Sequence, residues 1–105
     1  MSFKDHLKAN LTSAASSINH VWGATAKAAG WPQDIHSQVS VQASDNGVKF
    51  EYPQEIANKV FDTEYGTVGQ NPKAAMRQTS QLGSAEVKKA IYKSLSQDLS
   101  DTGLF

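Results

Sequence analysis

The first thirty residues constrain the fold most. Phe3, Leu7, Leu11, Ala14, Ile18, Val21, Trp22, Thr25 and Ala28 recur at spacings of three and four, which puts them on one stripe of a 3.6-residue helix. Lys4, Lys8, Asn10, Ser13, Ser17 and Lys27 fill the opposite face. Ser2 with Asp5 has the form of a capping pair, in which the serine takes an orphan backbone N–H and the carboxylate sits at the positive end of the helix. Gly30 suits the residue just past a helix, and Pro32 forbids continuation. The spacing therefore predicts a helix that ends near Ala29 and measures about 40 Å. A chain of 105 residues has room for a single domain, 1–105. So long a helix would project past any small sheet, and its uncovered apolar residues would need another chain.

From Ile35 the period changes to two. Ile35, Ser37, Val39, Val41 and Ala43 share one side, and His36, Gln38, Ser40 and Gln42 share the other, the pattern of a half-buried strand. Asp45-Asn46-Gly47 follows, and Asn-Gly is the preferred pair for a type I′ hairpin turn. A two-residue loop there pairs Ala43 with Phe50 and Val41 with Tyr52. The returning strand, Val48 to Tyr52, stops at Pro53. Gln54 to Phe61 carries a short helical pattern in Ile56, Ala57 and Val60, and Asp62 to Thr67 reads either as a third strand or as an extended loop. Asn71-Pro72 forms an N-cap with proline at the first helical position, starting a helix to about Gln81. Leu82-Gly83-Ser84 reads as a stop and restart. Ala85 to Leu99 then forms a last helix with Val87, Ile91, Leu95 and Leu99 at i, i+4 spacing, before a tail over residues 100–105 that ends in Leu104-Phe105. The expected architecture is α+β: a long N-terminal amphipathic helix (1–30) packed on a small antiparallel sheet (within 35–67), followed by C-terminal helices (71–99).

Ten basic and ten acidic residues give a formal charge of zero, so a dedicated nucleic-acid binder is not expected. The absence of cysteine excludes a disulfide framework, a thiolate nucleophile and a Cys-ligated zinc site. Apolar runs of only a few residues predict no membrane partner, and no signal-peptide core leads the chain, which points to synthesis in a cytoplasm. His6, His20 and His36 lack the i, i+4 spacing with a helical Glu that a metalloenzyme helix carries. Asp62 and Glu64 would share one side of a strand as a carboxylate pair, but no His, Cys or other ligand accompanies them. Gly66-Thr67-Val68-Gly69 lacks the G-K-[ST] of a phosphate loop, and no G-x-S-x-G is present. The residues predict neither enzyme nor cofactor. Lys73, Arg77, Lys88, Lys89 and Lys93 stand against Glu86 alone in the stretch 73–93: a solvated helix face, or a contact with DNA or an acidic partner. Trp22 and Trp31 are either core or exposed interface anchors.

One segment carries a likeness. Ile56-Ala57-Asn58-Lys59-Val60-Phe61-Asp62-Thr63-Glu64-Tyr65-Gly66-Thr67, followed by Asn71-Pro72-Lys73-Ala74-Ala75-Met76-Arg77, resembles the signature of small tailed-phage neck, head-tail connector or tail-completion proteins. There an alanine-bearing turn leads to an acid-aromatic-Gly-Thr run and a proline-initiated helix with an apolar residue and an arginine. Glu64, Tyr65, Gly66, Thr67, Pro72, Met76 and Arg77 match, as does the order of elements. An aromatic residue soon after the proline and a second proline after Arg77 are absent. The resemblance implies a virion structural subunit that forms a homo-oligomeric ring at the head–tail junction. Its neighbours would be portal, adaptor or tail-terminator and tail-tube proteins, with Lys73, Arg77, Lys88, Lys89 and Lys93 facing packaged DNA or an acidic neighbour. The alternative is a small adaptor or regulatory protein that binds one partner through its first helix. Independently of the likeness, Gly66 permits positive φ and Thr67 can hydrogen-bond across a turn.

Overall fold

The computed structural model describes residues 2–101, so Met1 and the Leu104-Phe105 tail lie outside the described residues. Helix α1 spans Phe3–Ala29, with the bounds its local signals predict. The Ser2 hydroxyl accepts the Asp5 N–H at 3.3 Å, and the Asp5 carboxylate accepts the Ser2 N–H at 3.3 Å and its hydroxyl at 3.0 Å. Gly30 closes the other end at φ 89°, a conformation that needs glycine.

The strand expected from Ile35 starts later. The Pro32 carbonyl accepts the N–H groups of Ile35 and His36 at 3.1 and 3.0 Å, and this winds Gln33–His36 into one helical turn, α2. Strand β1 is Ser40–Ala43, and it pairs antiparallel with β2, Val48–Glu51. Val41 lies opposite Phe50 and Ala43 opposite Val48, two residues away from the expected register. The loop has four residues, closed by the Ser44 N–H on the Gly47 carbonyl at 2.8 Å. Only Gly30 and Gly66 have positive φ among the described residues, so Asn46-Gly47 is not a type I′ turn. A slip of two leaves every side chain on its expected face, because strand side chains alternate with period two.

Asp62–Tyr65 is neither a third strand nor a loop. After a 3-10 turn over Gln54–Ile56, helix α3 covers Ala57–Tyr65 and buries Val60, Thr63 and Glu64 at i, i+3, i+4. The C-terminal helices are one. Helix α4 runs unbroken over Ala75–Asp101, starting three residues past Pro72 and passing through Gly83. That glycine sits where α4 crosses α1: a Cβ there would lie 3.3 Å from Ile18 Cδ1. Its missing side chain lets two helices approach and ends neither.

α4 lies antiparallel along α1. His6 meets Asp101 at 2.6 Å, Asn10 donates to Ser94 Oγ at 2.8 Å and to Gln97 Oε1 at 2.9 Å, and Ile18 faces Gly83. The α4 side of this seam is built from small residues, Ala75, Thr79, Gly83, Ala90 and Ser94. The apolar stripe of α1, expected to remain partly uncovered, is therefore buried at Leu11, Ala14, Ile18 and Trp22 by a helix of equal length and by the sheet, while Ala28 stays exposed. The sheet is tied to α1 by Val41 N–H to Asn19 Oδ1 at 2.9 Å and Trp22 Nε1–H to the Val39 carbonyl at 3.0 Å. Trp22 stands edge-on to Trp31 and Phe50, with centroids 5.0 and 5.3 Å apart, a favoured aromatic geometry. The molecule measures 59 × 22 × 18 Å with a radius of gyration of 16.4 Å, against about 13 Å for a compact domain of this length. It is a rod: sheet, α2 and α3 pad one end of the helix pair and stop short of the other.

Candidate functional site

The likeness segment folds into a joint between α3 and α4. Glu64 is only 2% exposed, and its carboxylate faces the first turn of α4. Oε1 accepts the Met76 N–H at 2.8 Å, while Oε2 accepts the Arg77 N–H at 3.1 Å and the Arg77 Nε–H at 2.9 Å. With Ala75 as the first helical residue, these are the two backbone donors that an N-cap side chain normally serves. Asn71 and Pro72, expected in that role, lie upstream in the loop. The Arg77 guanidinium also donates to the Glu64 carbonyl at 3.0 Å and lies over the Tyr65 ring, 4.7 Å from its centroid, within cation–π range. Glu64 and Arg77 both stand out in the sequence, but the twelve residues between them hide their pairing from any local pattern.

Gly66 (φ 82°) makes the turn after α3. A Cβ at this position would come 2.6 Å from the Gln70 carbonyl oxygen and 2.8 Å from Pro72 N. Thr67 and Gln70 exchange backbone hydrogen bonds at 2.9 and 3.2 Å, and Lys73 N–H returns to the Thr63 carbonyl at 2.9 Å. Val68 is left fully exposed at the tip. The positive φ expected of Gly66 thus occurs where the chain leaves a helix rather than a sheet.

Trp22 and Trp31 are buried, at 2% and 4% exposure, and Trp31 Nε1–H donates to the Lys73 carbonyl at 2.7 Å. They are core, and the anchor alternative is excluded for rings packed inside the subunit. The five basic residues have different surroundings. Arg77 is bound to Glu64, Lys89 lies 3.5 Å from Glu86, and Lys73 covers Gly30. Lys88 and Lys93 form no ion pair among the described residues. Asp62 and Glu64 are not a carboxylate pair, since the helix turns Asp62 outward and Glu64 inward. His6 is engaged with Asp101, and no three His, Cys, Asp or Glu gather to hold a metal among the described residues. No helix among them is long and apolar enough to cross a membrane.

Several large apolar side chains remain uncovered. On α3, Phe61 and Tyr65 are 61% and 50% exposed and touch each other as tilted rings with centroids 4.8 Å apart. On α4, Ile91, Tyr92 and Leu95 are 37%, 71% and 46% exposed. Between β2 and α4 an apolar groove of about 410 Å³ runs along Val48, Phe50, Gly83 and Val87, with Lys88 beside it. Uncovered apolar surfaces of this kind are suited to protein contact. Neither a protein-family model, nor a curated protein, nor a solved structure matches the chain.

Proposed function

We propose that this protein is a non-enzymatic structural subunit of a tailed-phage virion, which assembles as a ring at the head–tail junction and bridges portal-side and tail-side rings. The observation that carries this reading is a rod with two separate uncovered apolar patches. Phe61 with Tyr65 lies at the level of Arg77, and Ile91 with Leu95 lies roughly 24 Å further along α4 at 1.5 Å per residue. A closed ring needs two different faces on each copy, and separate patches supply them. The Glu64 to Arg77 likeness and the order of elements point the same way. Lys89 and Lys93, on the outer side of α4, would meet packaged DNA or an acidic neighbour.

Co-expression with portal and tail proteins, followed by negative-stain imaging and mass measurement, tests the reading. Rings carrying this chain at one end of the portal are expected. A chain that binds neither portal nor tail proteins and enters no particle overturns it. The double variant Lys89→Glu, Lys93→Glu should keep the fold and reduce retention of packaged DNA.

A further inference from the structure

The sheet covers one side of the helix pair and then stops. On α4 that side bears Ser80, Ser84, Val87 and Lys88, which flank Val48 and Phe50 of β2. Helical geometry continues the same side into Ile91, Leu95 and Asp98, beyond the reach of the hairpin. Ser84, Lys88, Ile91, Leu95 and Asp98 are spaced four, three, four and three, the a/d spacing of a helix that packs against another helix. The stripe is also self-complementary. When it meets a second copy running in the opposite direction, centred between Ile91 and Leu95, Ile91 falls on the partner copy's Leu95 and Lys88 on its Asp98. Neither Lys88 nor Asp98 has an ion-pair partner among the described residues. Lys89 and Lys93 point to the other flank, beside Glu86 and the α1 residues Asn10, Ser13, Ala14 and Ser17, so the pairing brings no lysine against a lysine.

We infer that the occupant of this face is a second copy of the chain, docked through antiparallel α4–α4 pairing with Ile91 and Leu95 at its centre and a Lys88–Asp98 ion pair at each end. A two-fold contact of this kind uses the same patch on both subunits. It supplies, at the bare end of the rod, the layer that the sheet supplies at the other. The pairing concerns the purified chain alone and goes beyond the virion reading: in the ring the same patch would meet a different face of the next copy, so the dimer opens on assembly, and a monomer that still enters particles would remove the dimer and leave that reading intact.

Sedimentation equilibrium of the purified protein should give twice the chain mass, and a monomer at high micromolar concentration overturns the proposal. Lys88→Asp should weaken the dimer about tenfold, because a reversed rim charge turns attraction into repulsion. Adding Asp98→Lys should restore it, and failure of that rescue counts against the pairing. Direction is tested by cysteine cross-linking, which a chain without native cysteine reports cleanly. Ile91→Cys mixed with Leu95→Cys should form the disulfide dimer, and each variant alone should form far less. Equal cross-linking of either variant with itself would mean a parallel pair, and absence of cross-linking would mean no pair; either result overturns the proposal. Both positions are exposed, and circular dichroism of each variant confirms that the fold is retained.

Discussion

Glu64 and Arg77 are bound twice over, through the arginine Nε–H at 2.9 Å and its backbone N–H at 3.1 Å on the same carboxylate oxygen. One buried acid thus starts a 27-residue helix and joins it to α3. The carboxylate also lies at the positive end of the α4 dipole, where a negative charge is favoured.

Removing that carboxylate is expected to be the costliest change at the joint. Glu64→Ala orphans two backbone donors and removes the acceptor of the Arg77 Nε–H, a loss of about 3 kcal/mol in urea unfolding. Arg77→Ala leaves both backbone N–H groups in place, and its own side chain is half exposed, so a loss of about 1 kcal/mol is expected. Equal losses would show that the guanidinium, and not the cap, holds the joint.

Gly66 tolerates no side chain. Alanine there combines a left-handed φ with a contact at 2.6 Å on backbone, and a cost of about 2–3 kcal/mol is expected. Thermal unfolding of Gly66→Ala gives the measurement; an unchanged midpoint would mean that the turn rearranges freely.

At Gly83 two effects oppose. Alanine raises helix propensity by about 1 kcal/mol, while its Cβ meets Ile18 at 3.3 Å and must displace a buried side chain. Gly83→Ala is expected to be near neutral in urea unfolding. Gly83→Leu, which drives α1 and α4 apart, should lose about 2–3 kcal/mol.

Acid loosens the helix ends. Hydrogen bonds from the Ser2 side chain and backbone hold the Asp5 carboxyl below its ordinary value of 3.8, and the His6 ring does the same for Asp101. Folding favours the ionised forms, so their contribution is present above pH 3.8 and is lost as the pH falls through the depressed values. Carbon-detected NMR titration should place Asp5 below 3.8 in the native chain and closer to that value in Ser2→Ala, which removes the hydroxyl and keeps the backbone N–H bond. An unmoved Asp5 would show that the serine does not hold it.

Local chemistry determined α1 completely, since Ser2, Asp5, Gly30 and Pro32 act within a few residues of the helix ends they control. It also determined the faces of the hairpin, because alternation survives an even slip. Tertiary contact decided the rest. The hairpin register goes with a four-residue loop closed by the Ser44 N–H on the Gly47 carbonyl, and the seat of β1 on α1 rests on Trp22 and Asn19, contacts across about twenty residues that no turn propensity encodes. The single α4 depends on Ile18 filling the space of the Gly83 side chain, which makes a helix-breaking residue a packing residue. Glu64 reads locally as one more polar residue, and only folding brings it to two N–H groups twelve and thirteen positions away. Short-range signals set where elements begin and which side is apolar. Which elements meet, and which apolar side stays bare, is set by distances that exist only after the chain has closed on itself.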